Sequence, residues 1–171
     1  MHDIIFRDAN PDDAEALADL FAATFRETFG HMYQPADLSA FLAEHRPDQW
    51  ADQLRDRSVA IRIAERGGAA IGFTKLGPLK LPVEAERTAL ELRQFYIAPE
   101  VRGSAVAPAL MDWLMEEARK RGAEELYLSV FTENLRAKRF YARYGFVEVG
   151  PCVFMVGTQE DEDVIMKTSL V

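Results

Sequence analysis

Cysteine is almost missing from this chain: Cys152 stands alone among 171 residues, which excludes an internal disulfide and leaves no ligand-spaced thiol partner. The histidines, His2, His31 and His45, are scattered without a usual metal-binding spacing, so no metal is expected. A lone free thiol suits a reducing compartment, and a cytoplasmic location is the expectation. Long apolar runs are also missing. None approaches the roughly 20 residues that cross a bilayer, and the opening MHDIIFRD has no basic stretch followed by an apolar one. The chain therefore reads as soluble and unexported, with no membrane partner. Basic residues are in deficit: 20 Lys and Arg against 28 Asp and Glu give a formal net charge of −8, which argues against a nucleic-acid partner because phosphate neutralisation needs a basic face. A cationic small substrate is compatible with that balance. Internal repeats and low-complexity tracts are absent, as are a GxxxxGK[ST] loop and a GxGxxG after a strand.

What is present is the composition of an ordinary globular domain, 49% hydrophobic and 28% charged, long enough to bury a core as one domain over residues 1–171. IIFR at Ile4 to Arg7 is a short strand. The following stretch places Leu17, Leu20, Phe21, Phe25 and Phe29 at helical spacing behind Pro11 and a run of acids. One or two further helices cover Asp37 to Arg57, with a break near Pro47. VAIRIAE and AIGFTKLG flank a glycine pair and predict a hairpin turning at Arg66-Gly67-Gly68. GPLKLPVEAE is a loop, and ALELRQFYIAP a strand ending at Pro99. RGSAVAPALMDWLMEEARKRG is loop then helix, stopped by Gly122. ELYLSVF is a buried strand, NLRAKRFYARYG a short helix ending at Gly145, and FVEVG and EDEDVIMKTSL close the chain as strands. That order predicts three layers around a mixed sheet, an α/β class of the α+β mixed kind, with a parallel crossover from Ala89 to Phe131.

The segment RGSAVAPALM, Arg102 to Met111, combines an arginine, a glycine and tiny residues at a helix start. A helix N-terminus offers unpaired amides and the positive end of its dipole, so a small-residue loop there can cradle phosphate. Pro108 fits in the first turn, where its missing N–H costs nothing. The competing reading is a small-residue turn that lets helix and sheet pack closely.

EVRGSAVAPALM, preceded by LRQFYIAP and followed by LYLSVFTENLRAKRFYARYGF, resembles the GNAT superfamily of acyl-CoA-dependent N-acetyltransferases. The pattern N-x-x-A-x-x-F-Y-x-x-x-G-F is intact as Asn134, Ala137, Phe140, Tyr141, Gly145 and Phe146, whereas in the preceding R/Q-x-x-G-x-G/A the first glycine is Ala105 and Ser104 stands where a basic residue is common. The opening strand and helix and the hairpin are similar too. The resemblance implies a mostly antiparallel mixed sheet of six or seven strands with a parallel central pair and flanking helices. It implies acetyl-CoA as acyl donor, its diphosphate on the amides of Gly103, Ser104, Ala105, Val106 and Ala107 beside Arg102, and its pantetheine arm along Phe95, Tyr96 and Ile97 and against Asn134. Of the cations of the following helix, Arg136, Lys138, Arg139 and Arg143, Arg136 and Lys138 are assigned to its phosphates, with a solvated helix face as the alternative reading of all four.

The implied reaction moves an acetyl group to a primary amine. Tyr141 is assigned to protonate the departing thiolate, and the amide of Phe95 or Tyr96 to hold the carbonyl oxygen at a strand bulge. Tyr141 also sits on an apolar stripe and can be read as a core tyrosine. Glu91 is the assigned base, with a surface ion pair as its alternative. Glu27 and His31, in FRETFGHMY, are assigned to the acceptor pocket because that segment is similar to relatives that acetylate polyamines and other small amines. The acidic run Glu160 to Asp163 is placed in a hairpin loop, as a solvated turn or as an attractor for a cationic amine. A non-catalytic acyl-CoA-binding or partner-binding module with a degenerate loop is the alternative function, and a homodimer the default assembly.

Overall fold

The computed structural model describes residues 3–171, so His2 lies outside it. The first strand, β1 (Ile4–Asp8), leads into a 3-10 turn capped by Asn10, whose side chain accepts the Asp12 N–H at 2.9 Å while Asp13 accepts the Asn10 N–H at 2.8 Å. This reciprocal cap satisfies amides that a helix start leaves bare. Helix α1 (Ala14–Phe29) follows and buries Leu17, Leu20, Phe21 and Phe25, the stripe expected from spacing. Helices α2 (Pro35–Ala43) and α3 (Pro47–Arg55) each begin on a proline, the position where its fixed φ is an advantage. The hairpin of β2 (Ala60–Arg66) and β3 (Ala69–Pro78) turns on Gly67 and Gly68, both at positive φ, 59° and 80°. A two-residue turn of that hand matches strand twist, and only glycine adopts it freely.

Next come β4 (Ala89–Ile97), α4 (Val106–Lys120), β5 (Glu125–Phe131), α5 (Leu135–Ala142), β6 (Val147–Val156) and β7 (Gln159–Ser169). They form one seven-stranded sheet in the order β1-β2-β3-β4-β5-β7-β6, antiparallel except for the β4·β5 pair. Consecutive strand residues point to opposite faces. Accordingly Tyr96 meets Phe21 of α1 at 5.1 Å between ring centres, while Phe95 meets Phe140 of α5 at 5.4 Å on the other side. Trp50 of α3 rests edge-on against Phe73, and Leu76, Leu92, Met111, Leu114, Tyr141 and Phe146 bury together under α4 and α5. No helix among the described residues is long and apolar enough to cross a membrane.

Two details differ from the sequence expectation. The last hairpin turns at Gly157-Thr158, with Val156 opposite Gln159, so the acidic run Glu160 to Asp163 belongs to β7, as the strand EDEDVIMKTSL has it, and not to the hairpin loop. Its strand partner β6 is also longer than FVEVG and carries Pro151. β6 is the sheet edge, where a missing amide donor is tolerated.

The feature that positions a site is the separation of the parallel strands. β4 and β5 pair only at Ala89 with Glu125, Leu90 with Leu126 and Glu91 with Tyr127. Just beyond, the β3·β4 register slips: Lys75 faces Gln94 and Leu76 faces Leu92, leaving Arg93 as the extra residue of a bulge. Its guanidinium is held by the Pro78 carbonyl at 2.6 Å. Bulges bend the strand that carries them, and from here to Ile97 one edge of β4 has no strand beside it.

Candidate active site

A cleft of about 560 Å³ opens where β4 and β5 part, lined by both strands, α1, the loop before α4, and α5. The Ala98 N–H donates to Ile71 at 2.9 Å, toward β3. Amide directions alternate along a strand, so Tyr96 also faces β3, while the Phe95 and Ile97 amides face the gap. That assigns the exposed amide to Phe95 rather than Tyr96.

At one end of the cleft the chain turns through Arg102 to Ala105 into α4. Gly103 has φ +74°, a conformation that costs glycine little. Ala105 sits at φ −74°, so the residue that replaces the usual glycine adopts its backbone without strain. Ser104 closes the loop on itself: its hydroxyl donates to Val101 O at 2.5 Å and accepts the Val106 N–H at 3.2 Å. Among the described residues, the amides of Gly103, Ala105 and Ala107 have no hydrogen-bond partner. Of the five expected to cradle a diphosphate, these three are available; Ser104 and Val106 are engaged. Free amides at the positive end of a 15-residue helix fit a dianionic group. The cleft floor, walled by Phe29, Phe131, Phe95 and Ile97, fits an apolar thioester arm.

Arg102 lines the cleft, and its guanidinium is bonded to Glu27 at 2.6 and 3.2 Å. The carboxyl of Glu27 is held below its usual range chiefly by that hydrogen bond. Glu27 thus sits beside the loop before α4, bonded to Arg102, and is absent from the cleft wall. His31 lies exposed in the 3-10 turn after α1, also away from the wall. Asn134 caps α5, its side-chain oxygen accepting the Ala137 N–H at 3.3 Å, and its side chain lines the cleft. Arg136 lines it as well. Lys138 does not: it is paired with Glu148 at 2.6 Å on the other side of α5. The second cation on the cleft side is Arg143, seven residues after Arg136 and therefore on the same helical face.

Tyr141 lies in the cleft, 8% exposed, with its ring against Phe95 and Phe146. Its hydroxyl has no hydrogen-bond partner among the described residues, and burial pushes its pKa well up, so it stays protonated. Glu91 does not reach the cleft: one carboxylate oxygen accepts the amides of Lys80 at 2.9 Å and Leu81 at 3.2 Å, which pins the preceding loop.

The acidic wall was not legible as such. Asp161 and Asp163, each 7% exposed, face the cleft from β7. Asp161 accepts hydrogen bonds from the Tyr33 hydroxyl and from Gln159. Asp163 has its pKa raised to about 6 by burial and by the charge of Asp161, with Ser129 acting in the opposite direction. The phenol of Tyr96 is driven up by burial and by the charges of Tyr141 and Asp163, and all three residues line the cleft. The signal available in the sequence was Gly157-Thr158 in VGTQ, a two-residue turn that starts the strand at Gln159.

Residues 15–146 match the family model described as Acetyltransferase (GNAT) family. An uncharacterised N-acetyltransferase of Mycobacterium bovis is 31% identical over 160 residues, covering 93% of this chain and 99% of the relative. Aminoalkylphosphonate N-acetyltransferase of Salmonella typhimurium is 32% identical over 99 residues, 58% of this chain and 64% of that one. In fold, the chain is similar to the PaiA N-acetyltransferase of Thermoplasma acidophilum, solved in complex with coenzyme A, with a TM-score of 0.78 at 19% identity over 98% of this chain and 99% of that one. The parted parallel strands, the free amides before α4 and the intact Asn134-to-Phe146 pattern agree with the family match: the chain belongs to the GNAT family of acyl-CoA-dependent acetyltransferases.

Proposed function

We propose that this enzyme transfers the acetyl group of acetyl-CoA to a primary amine of a small cationic acceptor such as a polyamine, with Tyr141 as the acid for the leaving thiolate. The observation that carries the reading is the position of the Tyr141 hydroxyl: buried, without a hydrogen-bond partner among the described residues, and in the same cleft as the outward amide of Phe95. The amides of Gly103, Ala105 and Ala107, with Arg102 and Arg136, would hold the diphosphate end, and Asn134 the pantetheine arm. The Phe95 amide is aimed at the oxygen that gains charge as the carbonyl is attacked, the kind of fixed donor worth most in a water-poor site. A thiolate whose conjugate acid is near pKa 8.5 leaves more readily when a phenol protonates it.

The acceptor end supports a cation. The Salmonella relative is named for aminoalkylphosphonates, whose phosphonate is anionic; here Asp161 and Asp163 stand on that wall and would repel it. The reading carries two further expectations, a cytoplasmic setting in keeping with the lone cysteine and a homodimer that size-exclusion chromatography can check.

The test is Tyr141→Phe, assayed by thiol release from acetyl-CoA with spermidine and a panel of other primary amines. We expect kcat to fall by about 10²-fold or more while the acetyl-CoA dissociation constant, read by calorimetry, stays where it is. A variant that turns over at the wild-type rate removes Tyr141 from the reaction.

A further inference from the structure

Acetyl transfer to an amine needs a proton acceptor, and Glu91 does not serve, because its carboxylate is bonded to the amides of Lys80 and Leu81. Resting on the transferase reading above, we propose that Asp163 is the general base that takes the proton from the acceptor's ammonium, and that Asp161, fixed by Tyr33, is the positioning residue beside it.

Four observations converge on Asp163. It pairs with Phe131 at the end of β5, where the gap to β4 is open, so its side chain stands on the cleft wall rather than in the sheet interior. It is more than nine-tenths buried, yet among the described residues its carboxylate is paired with no cation and its one side-chain partner is the Ser129 hydroxyl, whereas Asp161 is tied down by Tyr33 and Gln159. Tyr96 and the proposed thiolate acid Tyr141 line the same cleft as Asp163, and Tyr96 feels the charge of both. Finally, the Gln94 side chain lines the same cleft with its buried Oε1 unpartnered, so the wall offers acceptors to a ligand rich in N–H donors.

The groups facing Asp163 are Asp161 on its own strand, Ser129 on β5, Cys152 opposite it on β6, Tyr96 on β4, and Tyr33 between α1 and α2. Burial and Asp161 raise its pKa to about 6, so at neutral pH it is ionised and still a better proton acceptor than an ordinary carboxylate. Asp161 differs: it takes hydrogen bonds from Tyr33 and Gln159, and its remaining lone pairs suit a second ammonium of the same acceptor.

The step balances as follows. Asp163 carboxylate takes one proton from the ammonium, leaving the amine lone pair free. Nitrogen attacks the thioester carbon, the C–N bond forms, and the C–S bond breaks as the carbonyl returns. The thiolate takes the Tyr141 proton, the nitrogen gives up its second proton to restore the tyrosine, and Asp163 releases the first to water. The products are the N-acetylated amine, coenzyme A and one proton.

The test compares spermidine, cationic at neutral pH, with hydroxylamine, already unprotonated there. In the wild type, kcat/KM for spermidine should rise with pH through a limb near 6. Asp163→Asn should lower kcat/KM for spermidine at pH 7.5 by about 10²-fold, remove that limb, keep acetyl-CoA binding by calorimetry, and retain the hydroxylamine rate within about threefold. Carboxyl-carbon NMR titration of the wild type should find one aspartate near pH 6 that vanishes in the variant. An unchanged spermidine profile in Asp163→Asn, or equal losses with both amines, overturns the assignment. A wild type that binds acetyl-CoA but acetylates neither amine overturns the transferase reading, and the base with it.

Discussion

Glu27 and Arg102 show how a single contact can oppose the ligand it surrounds. The same guanidinium that the family pattern directs to a diphosphate is bonded here to a carboxylate from α1, and Arg136 adds to the field on that carboxylate. A diphosphate bringing its own charge to Arg102 has to displace or share with Glu27. The pair is partly exposed, so the competition is modest. Glu27→Gln should therefore tighten acetyl-CoA by about two- to fivefold in calorimetry. Looser binding would mean that Glu27 holds Arg102 in its working position rather than away from it. At this scale the sequence was readable where a motif names a residue: Tyr141, Asn134 and Arg102 all line the cleft. It was unreadable where function depends on which neighbour a side chain meets. Glu91 and Lys138 have the right charges but are tied to Lys80, Leu81 and Glu148, partners brought in by tertiary folding.

Among the elements, the loop before α4 carries most weight, and its chemistry divides between two small residues. Gly103 has a left-handed backbone, with φ +74°, and a methyl group added at its Cα would meet nothing within 4 Å, so its requirement is one of dihedral angle and not of space. Ala105, at φ −74°, gains nothing from being glycine. Gly103→Ala should cost about 1–2 kcal/mol of left-handed strain. For a chain of this length that lowers Tm by roughly 2–8 °C, and it should weaken acetyl-CoA because the free amides no longer converge. Ala105→Gly should leave the affinity where it is. Equal effects of both changes would show that loop entropy, not the direction of the amides, governs the site. Most elements were legible because their period or punctuation was strong: the glycine pair of the β2·β3 hairpin, Pro47 at the break between α2 and α3, and the stripe on α1. The strand EDEDVIMKTSL was read within a residue of β7, but the orientation of its acids was not, because a run of four acids also reads as a solvated turn until the sheet faces two of them into the cleft.

For the molecule as a whole, the same architecture buries charges of opposite sign, and their linkage to folding has opposite slopes. Asp163 has a raised pKa, so the stability it permits is present at acid pH and lost as pH rises through about 6. Lys75 lies on β3 beside α3, over the Trp50 ring and bonded to Gln53, with no carboxylate partner among the described residues. Burial, then Arg93 and Lys80, lower its pKa to about 7. Above that pH the unfolded chain binds a proton there that the folded chain does not, so stability falls as pH drops from the ordinary lysine range toward about 7. The carboxylates held down by partners, such as Asp13 beside Arg7, lose their contribution only at lower pH. The ligand-free protein should accordingly show a shallow minimum of Tm between about pH 6 and pH 7, flanked by a rise on either side. On the alkaline side each pH unit is worth at most about 1.4 kcal/mol, which over pH 7 to 9 is on the order of 5 °C. Lys75→Met should raise Tm at pH 7 and flatten that limb, while Asp163→Asn should flatten the acid limb alone. A Tm that is level from about pH 5 to 9 in the wild type, or a Lys75→Met variant that keeps the alkaline rise, would mean that water reaches these groups and that the sheet faces are less dry than their packing implies.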